Sequence, residues 1–339
     1  MYKWLDSPLN AVLKDSSLLA HALLVRGPKG IGKQAFGLAV AQGLLCEKPG
    51  PSGIACGSCS SCSWFSNGAH PDFRLLAPPI DGEPGAEGED APVKTKETKA
   101  SPWISIEQVR DLHDFIHVSS HRGGRKVIIV SPAEALNTAA ANALLKNLEE
   151  PPPQTHFILI SHRPHRLMRT IISRCRQLSL QTPPLAVAAA WLAGQGVKDP
   201  EVVLAQASGA PLLALEMTEG DALAGRPEFL RTLSGTDLDP LAAAEVFRDL
   251  PLERFINLLQ KWTCDIAEQR MLGRVRYNPD FARELAMIAR RVDPLEALRL
   301  HRKLVREQRN IHHPLNARLY MESALFAYLA LLNPARRAA

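Results

Sequence analysis

The sequence lacks an apolar segment long enough to cross a lipid bilayer. Its uncharged apolar run near the end, residues 324–332, is far shorter than the ~20 residues that a membrane helix needs. Residues 1–6 contain no hydrophobic stretch typical of a secretory signal. We therefore expect a cytoplasmic protein.

The sequence also lacks a strong excess of charge of one sign. Lysine and arginine total 40 against 35 aspartate and glutamate, a net charge of +5, and 46% of the residues are hydrophobic. This composition is typical of soluble globular proteins and excludes a disordered or collagen-like chain. The mild basic excess permits contact with nucleic acid but does not argue for it. A length of 339 residues predicts two or three domains.

Short apolar runs alternate with helical patterns over about the first 180 residues. Residues 106–117 and 138–148 have helical spacing, and the second pattern is stopped by Pro151. The runs between such helices are apolar on both faces, which predicts a parallel sheet covered by helices on both sides. The predicted strands are residues 21–26, 72–76, 126–130, 155–161 and 175–180.

The pattern changes after Pro184, where only helical spacing continues and no repeat of fixed period is found. We predict an α/β domain over residues 1–182, a small helical domain over 183–219 and a larger helical domain over 220–339. Residues 81–100 are acidic, rich in glycine and proline and almost without apolar side chains, which favours a mobile surface insertion.

Four of the six cysteines crowd into residues 46–62. In a reducing compartment this crowding indicates a metal site before a disulfide. The two C-x-x-C steps of Cys56, Cys59 and Cys62, with Cys46 ahead of them, match the four thiolates of a closed, structural zinc site. An iron–sulfur cluster and a redox dithiol remain as alternatives.

A phosphate-binding loop is the second motif. Gly27, Gly30, Gly32 and Lys33 follow a predicted strand and precede a helix, which is the strand–loop–helix context of a P-loop. The glycines let backbone N–H groups turn toward a phosphate, and the lysine would reach its β and γ oxygens.

The chemistry of this loop is incomplete. Gln34 stands where a serine or threonine hydroxyl binds Mg²⁺, and Ser131 and Pro132 stand where an active NTPase has Asp-Glu after the third strand. Glu134 comes too late in the chain to replace them simply. Because the hydroxyl that binds Mg²⁺ and the acidic pair after the third strand are both missing, we expect a loop kept for its shape. Nucleotide binding by this loop stays in doubt.

Several further motifs accompany the loop and the cysteines. They are residues 21–24 ahead of the loop, 70–72 (His-Pro-Asp), 142–152 and 173–175 (Ser-Arg-Cys). Together these motifs resemble the bacterial AAA+ clamp-loader family, closely over residues 20–180. Residues 208–211 and 314–319 are similar to the lid turn and the last collar helix of the same family.

The resemblance separates subunit types within that family. Motor subunits, gamma and tau, keep the threonine that binds Mg²⁺ in the loop and the Asp-Glu pair after the third strand. This chain departs from the first at Gln34 and from the second at Ser131 and Pro132. The delta type usually lacks the zinc cysteines, which this chain has. The chain therefore resembles a non-motor subunit that retains the zinc module, and the resemblance implies an AAA+ domain followed by a helical lid and an all-α collar.

The resemblance also implies a function and partners. The chain would help the DNA polymerase III clamp loader, with its gamma/tau and delta subunits, to place the sliding clamp on primed DNA at the replisome. Arg174, with Ser173 and Cys175 as its motif, would be an arginine finger in a neighbour's ATP site. The subunit itself would have no catalytic activity, although it would serve a DNA-directed DNA polymerase, a nucleotidyltransferase.

Two other functions stay open at this point. The first is an active AAA+ ATPase of gamma/tau type that uses Lys33 with unconventional partners. The second is a zinc-dependent DNA-binding module. Arg174 could also be an ordinary surface arginine, and a solvated face or subunit salt bridges explain the basic residues of the collar as well as DNA does. Those residues are Arg290, Arg291, Arg299, Arg302, Lys303, Arg306 and Arg309.

Overall fold

The computed structural model describes residues 1–15, 20–79, 101–121, 124–220, 222–235, 237–310 and 316–333. The predicted insertion of residues 81–100 lies outside these ranges. The chain divides into two compact units, Met1–Pro183 and Pro184–Ala339, and each has a hydrophobic core of its own.

In the described part of the first unit, five strands form one sheet. They are β1 (Ala22–Arg26), β2 (Phe73–Leu76), β3 (Lys126–Val130), β4 (Thr155–Ser161) and β5 (Arg176–Ser179). Their order is β2-β3-β4-β1-β5, and every neighbouring pair is parallel. The central strands β1, β3 and β4 are largely buried, as expected for runs that are apolar on both faces. The predicted parallel α/β sheet is confirmed.

Helices pack on both faces of this sheet. One face, with Ile128 and Phe157, shares a core with the helices that flank β3 and β4. The helix after β1 covers the other face, and its Gly37 lies so close to Ile160 that an added Cβ would come within 2.9 Å of the isoleucine Cδ1. The described residues of this unit form six α-helices, α1 (Asp6–Lys14), α2 (Lys33–Leu45), α3 (Ser60–Ser66), α4 (Ile106–His117), α5 (Thr138–Glu149) and α6 (Arg169–Arg174).

The described residues of the second unit contain helices and no strand. The first three helices close a small core around Leu192 and Leu204. The others surround Trp262, whose indole Nε1 donates to Tyr328 Oη at 2.8 Å. None of the helices in the described ranges is long and apolar enough to cross a membrane. The nine are α7 (Leu185–Gly194), α8 (Pro200–Gln206), α9 (Pro211–Glu219), α10 (Arg226–Ser234), α11 (Pro240–Val246), α12 (Leu252–Leu272), α13 (Ala282–Ala289), α14 (Pro294–Glu307) and α15 (Ala317–Leu332).

A buried carboxylate organises the loop that follows α12. Asp265 is fully buried, and its two oxygens accept hydrogen bonds from the backbone N–H groups of Arg276, Tyr277 and Asn278 and from the Asn278 side-chain amide. The Asn278 side-chain oxygen in turn accepts from Gln206 of α8 and from Arg226 of α10. One polar network therefore joins the small helical group to the larger one.

We predict that Asp265→Ala lowers the free energy of unfolding by about 2–4 kcal/mol, because buried backbone N–H groups lose their acceptor. Urea unfolding followed by far-UV circular dichroism measures this change. Asp249→Ala, at a side chain that is 91% exposed, is the control and should stay within about 0.5 kcal/mol of the wild type. A similar small effect for Asp265→Ala would contradict the role of the network.

Candidate functional site: a phosphate-binding loop, a four-cysteine cluster and Arg174

The loop between β1 and α2, the predicted phosphate-binding loop, depends on glycine for its backbone conformation. Gly32 precedes the first residue of α2 with φ +93°, a conformation that favours glycine. The N-terminal segment packs against it, because a Cβ at Gly32 would lie 2.9 Å from both the Leu5 and the Tyr2 side chains. Trp4 Nε1 also donates to the carbonyl of Ile31 at 3.0 Å. The start of the chain therefore covers the loop.

Lys33 lies inside this loop. The side chain is 2% exposed, and its Nζ donates to the carbonyl oxygens of Gly27, at 2.9 Å, and Pro28. Burial lowers the pKa of Lys33 to about 8, and the nearby Glu134 carboxylate opposes that shift. The ammonium group is thus held by the loop's own carbonyls.

In the sequence, Glu134 comes too late to replace the missing Asp-Glu pair, but the fold brings its carboxylate close enough to Lys33 to act on it electrostatically. One carboxylate oxygen accepts from the backbone N–H groups of His162 and Arg163, at 2.9 and 3.0 Å, where β4 has just ended. The other oxygen is buried without a hydrogen-bond partner. The carboxylate is therefore fixed to β4 and raises the pKa of Lys33 electrostatically.

The four cysteines of the predicted metal site come together. Their Sγ atoms all lie within 4.8 Å of one another, and those of Cys46 and Cys59 are 3.9 Å apart. Four thiolates at Zn–S distances of about 2.3 Å around a tetrahedral ion would be about 3.8 Å apart. Cys59 also caps the N-terminus of α3. The cluster can hold a metal ion, and the donor set fits one that prefers sulfur.

The thiols of the cluster differ in their environment. Hydrogen bonds from the backbone and side chain of Ser58 lower the pKa of Cys56 to about 6, whereas burial raises the pKa of Cys62 to about 12. The surroundings of Cys56 therefore favour its thiolate before any metal binds. A bound cation favours the thiolate at every ligand position.

A buried Ser–His pair anchors the cysteine cluster to the sheet. The Asp72 backbone N–H donates to His70 Nδ1 at 3.1 Å, so Nε2 carries the ring proton and donates to Ser61 Oγ at 2.8 Å. Ser61 Oγ in turn donates to the Leu45 carbonyl at 2.6 Å. Because His70 cannot also accept the serine proton, this pair is a structural link between α2, α3 and β2 and not a nucleophile with its base.

Arg174 is the last residue of α6, and Cys175 separates it from β5. Its Nη1 donates to the Thr170 carbonyl at 3.0 Å, and its Nη2 lies 2.5 Å from a carboxylate oxygen of Glu149 at the end of α5. Ser173 Oγ also donates to Thr170, while Cys175 is buried. Among the described residues, Arg174 makes its hydrogen bond and its ion pair with α6 and α5, and neither contact reaches the cysteine cluster or the phosphate loop.

The sheet separates these groups. The phosphate loop follows the carboxyl end of β1, whereas Arg174 precedes the amino end of β5, which lies parallel to β1 with Arg176 opposite Leu23. Strands of about five residues span roughly 16 Å. The phosphate loop and Arg174 therefore lie at opposite edges of the sheet.

Sequence comparisons with known proteins indicate one family. A family model described as "DNA polymerase III, delta subunit" matches residues 8–184. The DNA polymerase III subunit delta' of Pseudomonas aeruginosa is 36% identical over 285 residues, 82% of this chain and 78% of that protein. The same subunit of Haemophilus influenzae is 34% identical over 236 residues, 68% of this chain and 65% of that protein. Among solved structures, a DNA polymerase III gamma subunit-related protein of Thermotoga maritima has 16% identity and a TM-score of 0.45, covering 98% of this chain and 100% of that one.

We predict that burial of Lys33 makes the stability of the chain depend on pH. The lysine loses its proton at about pH 8 in the folded chain but at 10.5 when unfolded, so the free energy of unfolding rises with pH between these values. In Lys33→Met this contribution should vanish. The slope of the free energy of unfolding against pH should then fall by up to the amount that about one bound proton contributes. Urea unfolding at pH 7.5 to 10.5 measures it.

The exposed Lys29 of the same loop provides the control variant, Lys29→Met, which should keep the wild-type slope. Equal slopes for Lys33→Met and the wild type would contradict the buried, easily deprotonated state of Lys33.

Proposed function

The chain belongs to the DNA polymerase III subunit delta' family and is a clamp-loader subunit, and we propose that it works there without hydrolysing ATP itself. In this proposal it assembles with gamma/tau and delta subunits and helps them place the sliding clamp on primed DNA. Its own contribution to ATP turnover is Arg174, which it donates to the ATP site of a neighbouring subunit.

The observation that carries the proposal is the separation of the phosphate loop from Arg174. The loop belongs to the carboxyl edge of the sheet and Arg174 to the amino edge. A guanidinium across the sheet from its own loop cannot reach a phosphate held there. Arg174 can therefore act only on a nucleotide bound by another chain.

The chemistry of the phosphate loop supports the absence of hydrolysis in this subunit. Gln34 offers an amide in place of the hydroxyl that holds Mg²⁺, and Ser131 and Pro132 supply no carboxylate at the end of β3. Lys33 is already bonded to the carbonyls of Gly27 and Pro28. The phosphate loop therefore keeps its glycines and its lysine but lacks the groups that activate water. The residues kept are Gly27, Gly30, Gly32 and Lys33.

Arg174 has the chemistry that the neighbouring site needs. During phosphoryl transfer, negative charge is spread over the oxygens of the γ-phosphate, and an arginine supplied by a second subunit stabilises it. Such fingers are worth about 10³–10⁵ in rate in other NTPases. The Arg174 side chain is 34% exposed, so it is accessible from outside the chain.

The metal of the cysteine cluster is proposed to be zinc. Cys46, Cys56, Cys59 and Cys62 would fill all four positions of a tetrahedral ion, which leaves none for water and makes the site structural. The metal would hold the short helix α3 against the end of α2, next to the Ser61–His70 link. This module does not take part in ATP hydrolysis.

We predict one zinc ion per chain. Cys59→Ser should lower the affinity for zinc by at least about 100-fold, more than the loss of an outer-shell partner, because it removes a ligand while a serine can still cap α3. Metal analysis of the purified protein and competition with a chromogenic chelator measure the content and the affinity.

Cys264→Ser, in α12 of the second unit, is the matched control and should retain the full zinc content. Iron with visible absorbance, or full zinc affinity in Cys59→Ser, would contradict the zinc assignment.

We predict that Arg174→Ala lowers ATP turnover of a reconstituted clamp loader by about 10³-fold at the site that Arg174 completes. The total rate then falls to that of the remaining sites. Assembly should be unchanged, because the side chain is partly exposed and its ion pair with Glu149 contributes little to stability. Steady-state phosphate release and size-exclusion chromatography measure the two properties.

The isolated chain is the control for hydrolysis by the subunit itself and should release no phosphate from ATP. Turnover by the isolated chain that Lys33→Ala abolishes would support an active ATPase instead. Normal turnover of the complex with Arg174→Ala would end the proposal for the arginine.

A further inference from the structure

We infer that Glu149 is a positioning residue for Arg174, holding its guanidinium ready for a nucleotide on the neighbouring subunit. This inference rests on the proposed function of Arg174. It assigns to a side chain at the end of α5 a part in ATP turnover at a site that lies on another chain.

The backbone of Arg174 is held more firmly than its side chain. The chain around it is fixed, because Ile171 and Cys175 are buried on either side. The Arg174 side chain itself extends from the surface and is 34% exposed. A free arginine side chain has about 2 kcal/mol of rotamer entropy, which a finger would lose each time it engages a phosphate.

Two contacts restrict that freedom. The Thr170 carbonyl accepts from Nη1 at 3.0 Å, and the Glu149 carboxylate lies 2.5 Å from Nη2. A guanidinium has five N–H groups, so these contacts leave donors for a phosphate. The arginine can therefore bind a neighbour's nucleotide without first releasing Glu149.

Helix stability does not explain an acidic residue at this position. Glu149 is the last residue of α5, where negative charge faces the negative end of the helix dipole and costs about 0.3–1 kcal/mol. The carboxylate is also 47% exposed, so it contributes no buried packing. Its one ion pair in the described part of the chain is the pair with Arg174.

The adjacent Glu150 offers a matched comparison. It is also exposed, at the same helix end, and it makes no ion pair with a basic group of the described residues. Glu150→Ala changes the net charge and the end of α5 in the same way as Glu149→Ala. It leaves the ion pair between Glu149 and Arg174 in place.

The experiment measures ATP turnover of the reconstituted clamp loader with four versions of this subunit besides the wild type. Glu149→Ala should lower kcat at the site that Arg174 completes by about two- to fivefold, the factor that an exposed ion pair of up to about 1 kcal/mol allows. Total turnover should therefore fall less than with Arg174→Ala. KM should change little, because Arg174 acts on charge that develops during transfer. Glu150→Ala should match the wild type.

The double variant Glu149→Ala/Arg174→Ala distinguishes positioning from a general structural role. If Glu149 acts through Arg174, the double variant has the same kcat as Arg174→Ala alone. A further loss in the double variant would overturn the inference, as would an unchanged or raised kcat in Glu149→Ala when Arg174→Ala is impaired. Normal turnover with Arg174→Ala would instead refute the proposed function of Arg174, so the two failures are distinguishable.

Discussion

The parallel alignment of the sheet is the constraint on which the rest of the first unit depends. Because every strand runs in the same direction, all strand ends lie at one edge and all strand starts at the other. The loop with Lys33, and Glu134 beside it, therefore belongs to the carboxyl edge. Arg174 and Glu149, which precede β5 and β4, belong to the amino edge. A single chain thus presents the phosphate loop and Arg174 at opposite edges of one sheet.

Two buried charges of the protein, Lys33 and Asp265, follow a common rule, since each is surrounded by backbone groups of opposite polarity. Carbonyl oxygens hold the ammonium of Lys33, and three successive N–H groups hold the carboxylate of Asp265. Burying a charge is costly unless such partners satisfy it. The loop can keep the form of a phosphate cradle because its lysine is satisfied without a phosphate. In the second unit, the backbone N–H groups around Asp265 fix the loop that follows α12. The polar network of that loop joins the small helical group to the larger one.

The sequence predicted the parts of this structure that depend on local pattern. The buried strands β1, β3 and β4, the helix Ile106–His117 and the gathering of the four cysteines all follow from spacing and side-chain type. Contacts between distant segments were not predictable in this way. Glu134 reaches the end of β4, and His70 bonds Ser61, only because the fold brings the segments together. The pairing of Glu149 with Arg174 likewise depends on how α5 and α6 pack.

The two edges of the sheet are chemically independent, and this independence explains how a subunit can lose one activity and keep another. Gln34, Ser131 and Pro132 stand at the carboxyl edge, so the loss of Mg²⁺ binding and water activation that we propose for this loop leaves the amino edge untouched. Arg174 is held by contacts that include no group of the phosphate loop. A chain with an incomplete nucleotide site can therefore still complete the site of its neighbour. In a ring of related subunits, such a chain would contribute an arginine without contributing a hydrolysis step.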